Sequence, residues 1–236
     1  MTIKKLKSCN ISGFRLVLPT VCNGNVGQLA ADLFIETLGM EKYAIVWNSA
    51  VIPILGPGAF EGQSGDATTA SEMFIDEKNK LLVLQTRTPL TSVLLGGFIQ
   101  EIVKFVKDEK LSDLVILTSS YSHEQHFIGK SPFEYLANEF VKEKEFGGFT
   151  EAAAGNQISG GGYAKLLFQH ATESNIPTSI FYKCVSEGDN SWDGMQLCQK
   201  VNEILKVVPV TDGKLAIKTP VSWKFLFGRN VVPEIY

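Results

Sequence analysis

Five short runs, 14–18, 43–47, 81–84, 114–117 and 179–182, are dense in β-branched, aliphatic and aromatic residues and scarcely alternate with polar ones. A strand with one wet face alternates, whereas a strand covered on both faces does not. These runs therefore belong inside a sheet that carries structure on each side. Between them lie stretches with helical periodicity, so strand and helix alternate along the chain. That order predicts an α/β fold: one domain, a mainly parallel central sheet flanked by helices, and right-handed crossovers.

The clearest helix runs from 25 to 38, with Val26, Leu29, Ala30, Leu33, Phe34 and Leu38 on one face. Asn25 reads as its N-cap, with Gln28 three residues on completing a capping box. Gly39 suits a left-handed C′ position with Met40 closing onto Ile35. A second helix is predicted over 92–107, where Gly96 and Gly97 each cost roughly 1 kcal/mol against alanine and so point to close backbone packing. A third is expected over 192–206, with Asp189, Asn190 and Ser191 available as caps, and a further one over 163–172. Segments 56–71 and 142–162, rich in Gly, Ser, Ala and charge, read as surface insertions. Neither is long enough for a second domain.

With 236 residues and 44% hydrophobic content the chain can bury a continuous core. Its net charge of −3 and its lack of any long Lys/Arg cluster argue against a nucleic-acid partner. The four cysteines, Cys9, Cys22, Cys184 and Cys198, show no CxxC spacing, so neither a zinc site nor a disulfide framework is expected. His170 has no Cys, Asp or Glu at ligand spacing. No metal or cofactor is expected, and no apolar stretch is long enough to span a bilayer. The expected compartment is the cytosol.

Several constellations could carry chemistry. Asn23-Gly24-Asn25-Val26-Gly27-Gln28 sits between strand and helix, where free N–H groups can cradle a phosphate, but it lacks a Walker lysine and the third glycine of GxGxxG. A tight turn before a capped helix is the plainer reading. Ser159-Gly160-Gly161-Gly162 is similarly glycine-rich without G-K-[ST], and reads as a hinge. Thr118-Ser119-Ser120-Tyr121-Ser122-His123, with Glu124 and His126 close by, follows a strand at the edge where doubly wound folds bind ligands, and a Ser/His pair can supply nucleophile and base. No G-x-S-x-G elbow accompanies it. Ser186-Glu187-Gly188-Asp189-Asn190 brings two carboxylates to the same edge, or simply caps the next helix. An enzyme of nucleoside phosphorylase or hydrolase type would draw on Ser119, His123, Glu187 and Asp189, and a small-molecule sensor would use the same pocket without turnover.

The C-terminal seventeen residues pack Trp223, Phe225, Leu226 and Phe227 ahead of Gly228, and an extended tail, 229–236, then closes with Pro233-Glu234-Ile235-Tyr236. An aromatic anchor beside a carboxylate can serve as a peptide ligand, although a frayed terminus looks the same in sequence.

Three blocks together resemble the proteasome assembly chaperone 2 family: Gly24-Asn25-Val26-Gly27-Gln28-Leu29, Val185-Ser186-Glu187-Gly188-Asp189-Asn190, and Ser222-Trp223-Lys224-Phe225-Leu226-Phe227-Gly228. Gly160-Gly161-Gly162 and Ser131-Pro132-Phe133-Glu134-Tyr135-Leu136 support the match, and the blocks keep the family's order across nearly the whole chain. The resemblance implies one α/β domain over 1–228, similar to nucleoside phosphorylases but without their catalytic machinery, and no cofactor. It further implies a non-enzymatic chaperone in cytoplasm and nucleus that forms a heterodimer with proteasome assembly chaperone 1. The pair would bind proteasome alpha subunits, promote their ring and prevent off-pathway ring dimerisation. Tails in such chaperones resemble those of activators ending in hydrophobic residue, tyrosine, any residue. Here Tyr236 is last and Glu234 stands in the hydrophobic slot, so Ile235 and Tyr236 would need a variant docking mode.

Overall fold

Side chains leave opposite faces of a strand in turn, so an all-apolar strand feeds two cores at once. That is how the central runs are used. Leu16 and Leu18, Leu82 and Leu84, Leu114 and Ile116, and Ile180 and Tyr182 face one core. Their neighbours Val17, Val83, Val115, Leu117 and Phe181 face the other.

The computed structural model describes all residues except 64–66, 125–130, 143–145, 153–156, 212–213 and 226–236. Its elements are β1 (Thr2–Lys5), β2 (Arg15–Pro19), α1 (Val26–Leu38), β3 (Glu41–Trp47), β4 (Leu55–Pro57), β5 (Ala67–Thr69), β6 (Ser71–Asp76), β7 (Leu81–Thr86), α2 (Leu95–Asp108), β8 (Asp113–Tyr121), β9 (Phe133–Ala137), β10 (Thr150–Glu151), α3 (Ala164–Glu173), β11 (Thr178–Val185), α4 (Ser191–Leu205), β12 (Val210–Thr211) and β13 (Lys214–Leu215). Among the described residues nine strands form one sheet in the order β1-β3-β6-β7-β2-β8-β11-β9-β10. Helices α2 and α3 cover one face, α1 and α4 the other.

The expected parallel arrangement holds for the central strands β7, β2, β8 and β11. On the flanks β1, β3, β6 and β7 pair antiparallel in succession, as does β9 with β11, so the sheet is mixed. The flanking strands carry polar residues that hide their register. Glu72 on β6 is buried and held by Lys42 of β3 at 3.0 Å.

Helix α1 ends as its sequence dictates: Gly39 takes φ 58°, and Met40 N–H donates to the Ile35 carbonyl at 2.9 Å. Its beginning differs from expectation. Residues Asn23–Asn25 wind a 3-10 turn, which leaves Asn25 left-handed at φ 54° and without a side-chain cap. Gln28 does not reach back either, because its Nε2 donates inward to the Thr86 carbonyl at 2.6 Å. The capping box is therefore absent. The glycine pair of α2 is also corrected: nothing lies within 4 Å of a Cβ built on Gly96 or Gly97, and both face solvent.

Segments 56–71 and 142–162, expected to lie on the surface, contribute to the cores. Phe60 is buried and meets Phe74 edge-on at 5.1 Å, and Phe146 packs on Phe181 at 5.3 Å.

Candidate functional site

In a doubly wound sheet, ligands enter at the carboxyl ends of the parallel strands, where the βα turns leave backbone donors unpaired. Here those ends are β2, β8 and β11, and the turns that follow them are Cys22–Asn25, Ser122–Glu124 and Ser186–Asn190. The triple glycine of residues 160–162 reaches the same place from the other side.

These turns lock onto one another. Asn23 N–H donates to the Gly160 carbonyl at 2.8 Å, and Tyr121 N–H to that of Ser159 at 3.2 Å. The Thr20 and Thr118 hydroxyls lie 2.8 Å apart and 2.9 and 3.0 Å from the Gly161 carbonyl oxygen, so Thr20 can donate to Thr118 while Thr118 donates to that carbonyl. Ser120 Oγ donates to the Ser159 carbonyl at 3.1 Å. Two of the N–H groups at the start of α1 are occupied as well. Asn25 N–H bonds the Cys22 carbonyl at 3.0 Å, and Gly27 N–H reaches Cys22 Sγ at 3.4 Å. Burial pushes the Cys22 thiol above its ordinary range, which keeps it a neutral acceptor.

The glycines of the first sequence block serve this closure. A Cβ on Gly24, at φ 60°, would collide with the Asn190 side chain, lying 3.0 Å from its Cβ. One on Gly27 would run into the backbone of β8, 2.8 Å from the Leu117 carbonyl carbon and closer still to its oxygen. Asn23 Nδ2 donates to the Val185 carbonyl at 3.2 Å, and Asn190 Nδ2 to that of Ser186 at 3.0 Å. Blocks about 160 residues apart in sequence are thus one contact in space. Bare backbone at this edge admits a neighbouring loop rather than an anion.

The residues considered for catalysis fall differently. Ser119 is buried, and its hydroxyl donates to the Asn23 carbonyl at 2.6 Å, so its proton is not directed to a base. His123 is exposed and stacks on Tyr121 at 5.1 Å. Asp189 accepts from Ser191 Oγ at 2.5 Å and from its N–H at 3.0 Å, which lowers its pKa, and it braces the start of α4 from the residue ahead of the N-cap, Asn190, whose side chain makes no cap bond. Glu187 is solvated. No nucleophile–base pair forms among Ser119, His123, Glu187 and Asp189. His126 lies outside the described residues.

Of the third block, Trp223 is half-buried in a 3-10 turn (Val221–Phe225) and packs on the α1/α4 core, and Ser222 N–H donates to the Ala59 carbonyl at 3.3 Å. Phe227, Gly228, Pro233, Glu234, Ile235 and Tyr236 lie outside the described residues. Among the described residues no three His, Cys, Asp or Glu side chains gather as a metal site requires, and no helix is long and apolar enough to cross a membrane.

Motif reading passed over two features. Lys183, buried on β11, pairs with Asp193 and donates to Gln196 at 2.5 Å, with Phe133 under its ammonium. Residues 47–60 and 88–100 contain no charged residue at all, and the structure leaves six of their large apolar side chains, Trp47, Ile52, Ile54, Leu55, Val93 and Leu94, exposed. The missing charge was the signal available in sequence.

Comparison with known proteins agrees with this architecture. The family model described as the PAC2 family matches residues 16–215. Proteasome assembly chaperone 2 of Homo sapiens is 28% identical, with 96% of each chain covered. That of Saccharomyces cerevisiae is 28% identical over 90% of this chain and 94% of its own. Among solved structures, Pyrococcus furiosus PbaA, an archaeal homolog of proteasome-assembly chaperone, superposes with a TM-score of 0.70 at 16% identity, covering 89% of each chain.

Proposed function

The chain belongs to the PAC2 family, and from that premise we propose that it is a non-catalytic chaperone of proteasome core-particle assembly. It forms a heterodimer with proteasome assembly chaperone 1, binds alpha subunits, promotes their ring and prevents premature ring dimerisation. The observation that carries the reading is the interlocked carboxyl edge: the hydroxyls of Thr20, Thr118, Ser119 and Ser120 bond the protein's own chain where an enzyme of this architecture would hold substrate. A scaffold with that edge closed presents outer surfaces instead. Relatives named as proteasome assembly chaperone 2 support the same conclusion.

Copurification from cells tests the reading. Recovery of chaperone 1 together with alpha subunits is expected, and recovery of neither would overturn it. The tail contributes by placing Ile235 and Tyr236 against an alpha subunit. Removing residues 234–236 should weaken retention of alpha-ring intermediates while leaving the heterodimer whole. Unchanged retention would remove the tail from the mechanism.

A further inference from the structure

The two uncharged stretches, 47–60 and 88–100, lie side by side. Val51 bridges Leu90, Thr91 N–H donates to the Ala50 carbonyl at 2.8 Å, and Thr88 Oγ1 to that of Ile52 at 3.0 Å. Together they turn Trp47, Ile52, Ile54, Leu55, Val93 and Leu94 toward solvent, Leu55 at 76% and Val93 at 88% exposure. A groove of about 300 Å³ beside them is lined by Trp47, Val51, Ile54 and Leu55. Gly96 and Gly97 extend the face as bare helix backbone, open to close approach.

Six large apolar side chains exposed to this degree leave on the order of 600 Å² uncovered, at the upper end for an ordinary monomer's largest patch and near the ~800 Å² per partner of a standard interface. Absence of charge is the mark of an interface centre, with aromatic anchors such as Trp47 in place of lysine and glutamate. A membrane surface would call for lysine or arginine beside the apolar groups, and these stretches have none.

We propose that this uncharged face seats the second subunit of the chaperone pair, an α/β chain presenting a matching apolar and uncharged surface, with Leu55 and Val93 as projecting knobs and the groove beside Trp47 as a receiving hole. The proposal rests on the pairing reading above. It assigns that pairing a surface.

The full chain and chaperone 1 are purified, mixed and measured by native mass and titration calorimetry, with Leu55→Asp and Val93→Arg singly and combined. Val210→Asp, at an exposed apolar position outside the face, serves as control. Both test positions are solvent-exposed, so the variants should melt with the wild type. The combined variant should bind about 30-fold more weakly or worse, the size of a hot-spot loss, and the control should bind normally. Equal binding by all variants would overturn this surface while leaving the pairing intact. Failure of the wild-type chains to pair at all would overturn the pairing, and this proposal with it. A dimer of the chain with itself that Leu55→Asp dissolves would give the face to a second copy and overturn the assignment.

Discussion

Replacing glycine by alanine at Gly27 and at Gly97 should shift stability in opposite directions, although both residues lie in the first turn of a helix. At Gly97 an added methyl meets nothing within 4 Å, so it only removes unfolded-chain freedom and improves helix propensity. The gain should be about 0.5–1 kcal/mol. At Gly27 the methyl would sit 2.8 Å from the Leu117 carbonyl carbon and nearer its oxygen. Backbone in the middle of a central strand cannot turn aside as a side chain can, so α1 must lift from the sheet. Overpacking of this kind costs about 1–3 kcal/mol. Set against the same propensity gain, the net loss is about 1–2 kcal/mol. For a domain of this size 1 kcal/mol moves the melting temperature by roughly 2–4 °C, so the two variants should separate by about 5 °C. Urea or thermal unfolding followed by circular dichroism reads both. The reasoning is refuted if Gly27→Ala melts at or above the wild type, or if Gly97→Ala falls as far as Gly27→Ala.

Lys183→Met removes the cation that Asp193 and Gln196 share and should cost about 2 kcal/mol in urea unfolding, whereas a change under ~0.5 kcal/mol would show the pair to be idle. Cys22, Cys184 and Cys198 are buried with their thiols held above the ordinary range by desolvation, so a thiol reagent at pH 8 should label Cys9 promptly and the other three only after denaturation. The Cys184 thiol is pushed from 9.0 to about 11. Its unfolded form loses its proton first as pH rises, so this contribution to stability is complete below about 9 and fades toward about 11, visible as a falling melting temperature in that window. A flat melting profile there would contradict the assigned burial.

Much of the scaffold could be read from residue order because the signals were local. The five apolar strands followed from absent alternation, and the end of α1 from Leu38-Gly39-Met40. Strand β6 is hidden because Ser71, Glu72 and Asp76 look like loop chemistry, and it takes the cross-strand Lys42 together with Thr69 N–H and Oγ1 to make a buried Glu72 tolerable. Gly96 and Gly97 were misread for the opposite reason: a glycine against a neighbour and a glycine against water are the same letter. At the carboxyl edge the sequence showed hydroxyls, glycines and carboxylates in the right turns. It could not show that Ser119 bonds Asn23, or that Asn190 rests on Gly24, since those partners lie 96 and 166 positions away.

On the proposed function the chain acts on proteasome subunits through its outer surfaces, without turning over a substrate. Native mass spectrometry of the purified chain with chaperone 1 and isolated alpha subunits tests it most directly. One copy of each chaperone retained on an alpha-subunit assembly is the expected spectrum. Alpha subunits that assemble while both chaperones stay free in solution would contradict the account.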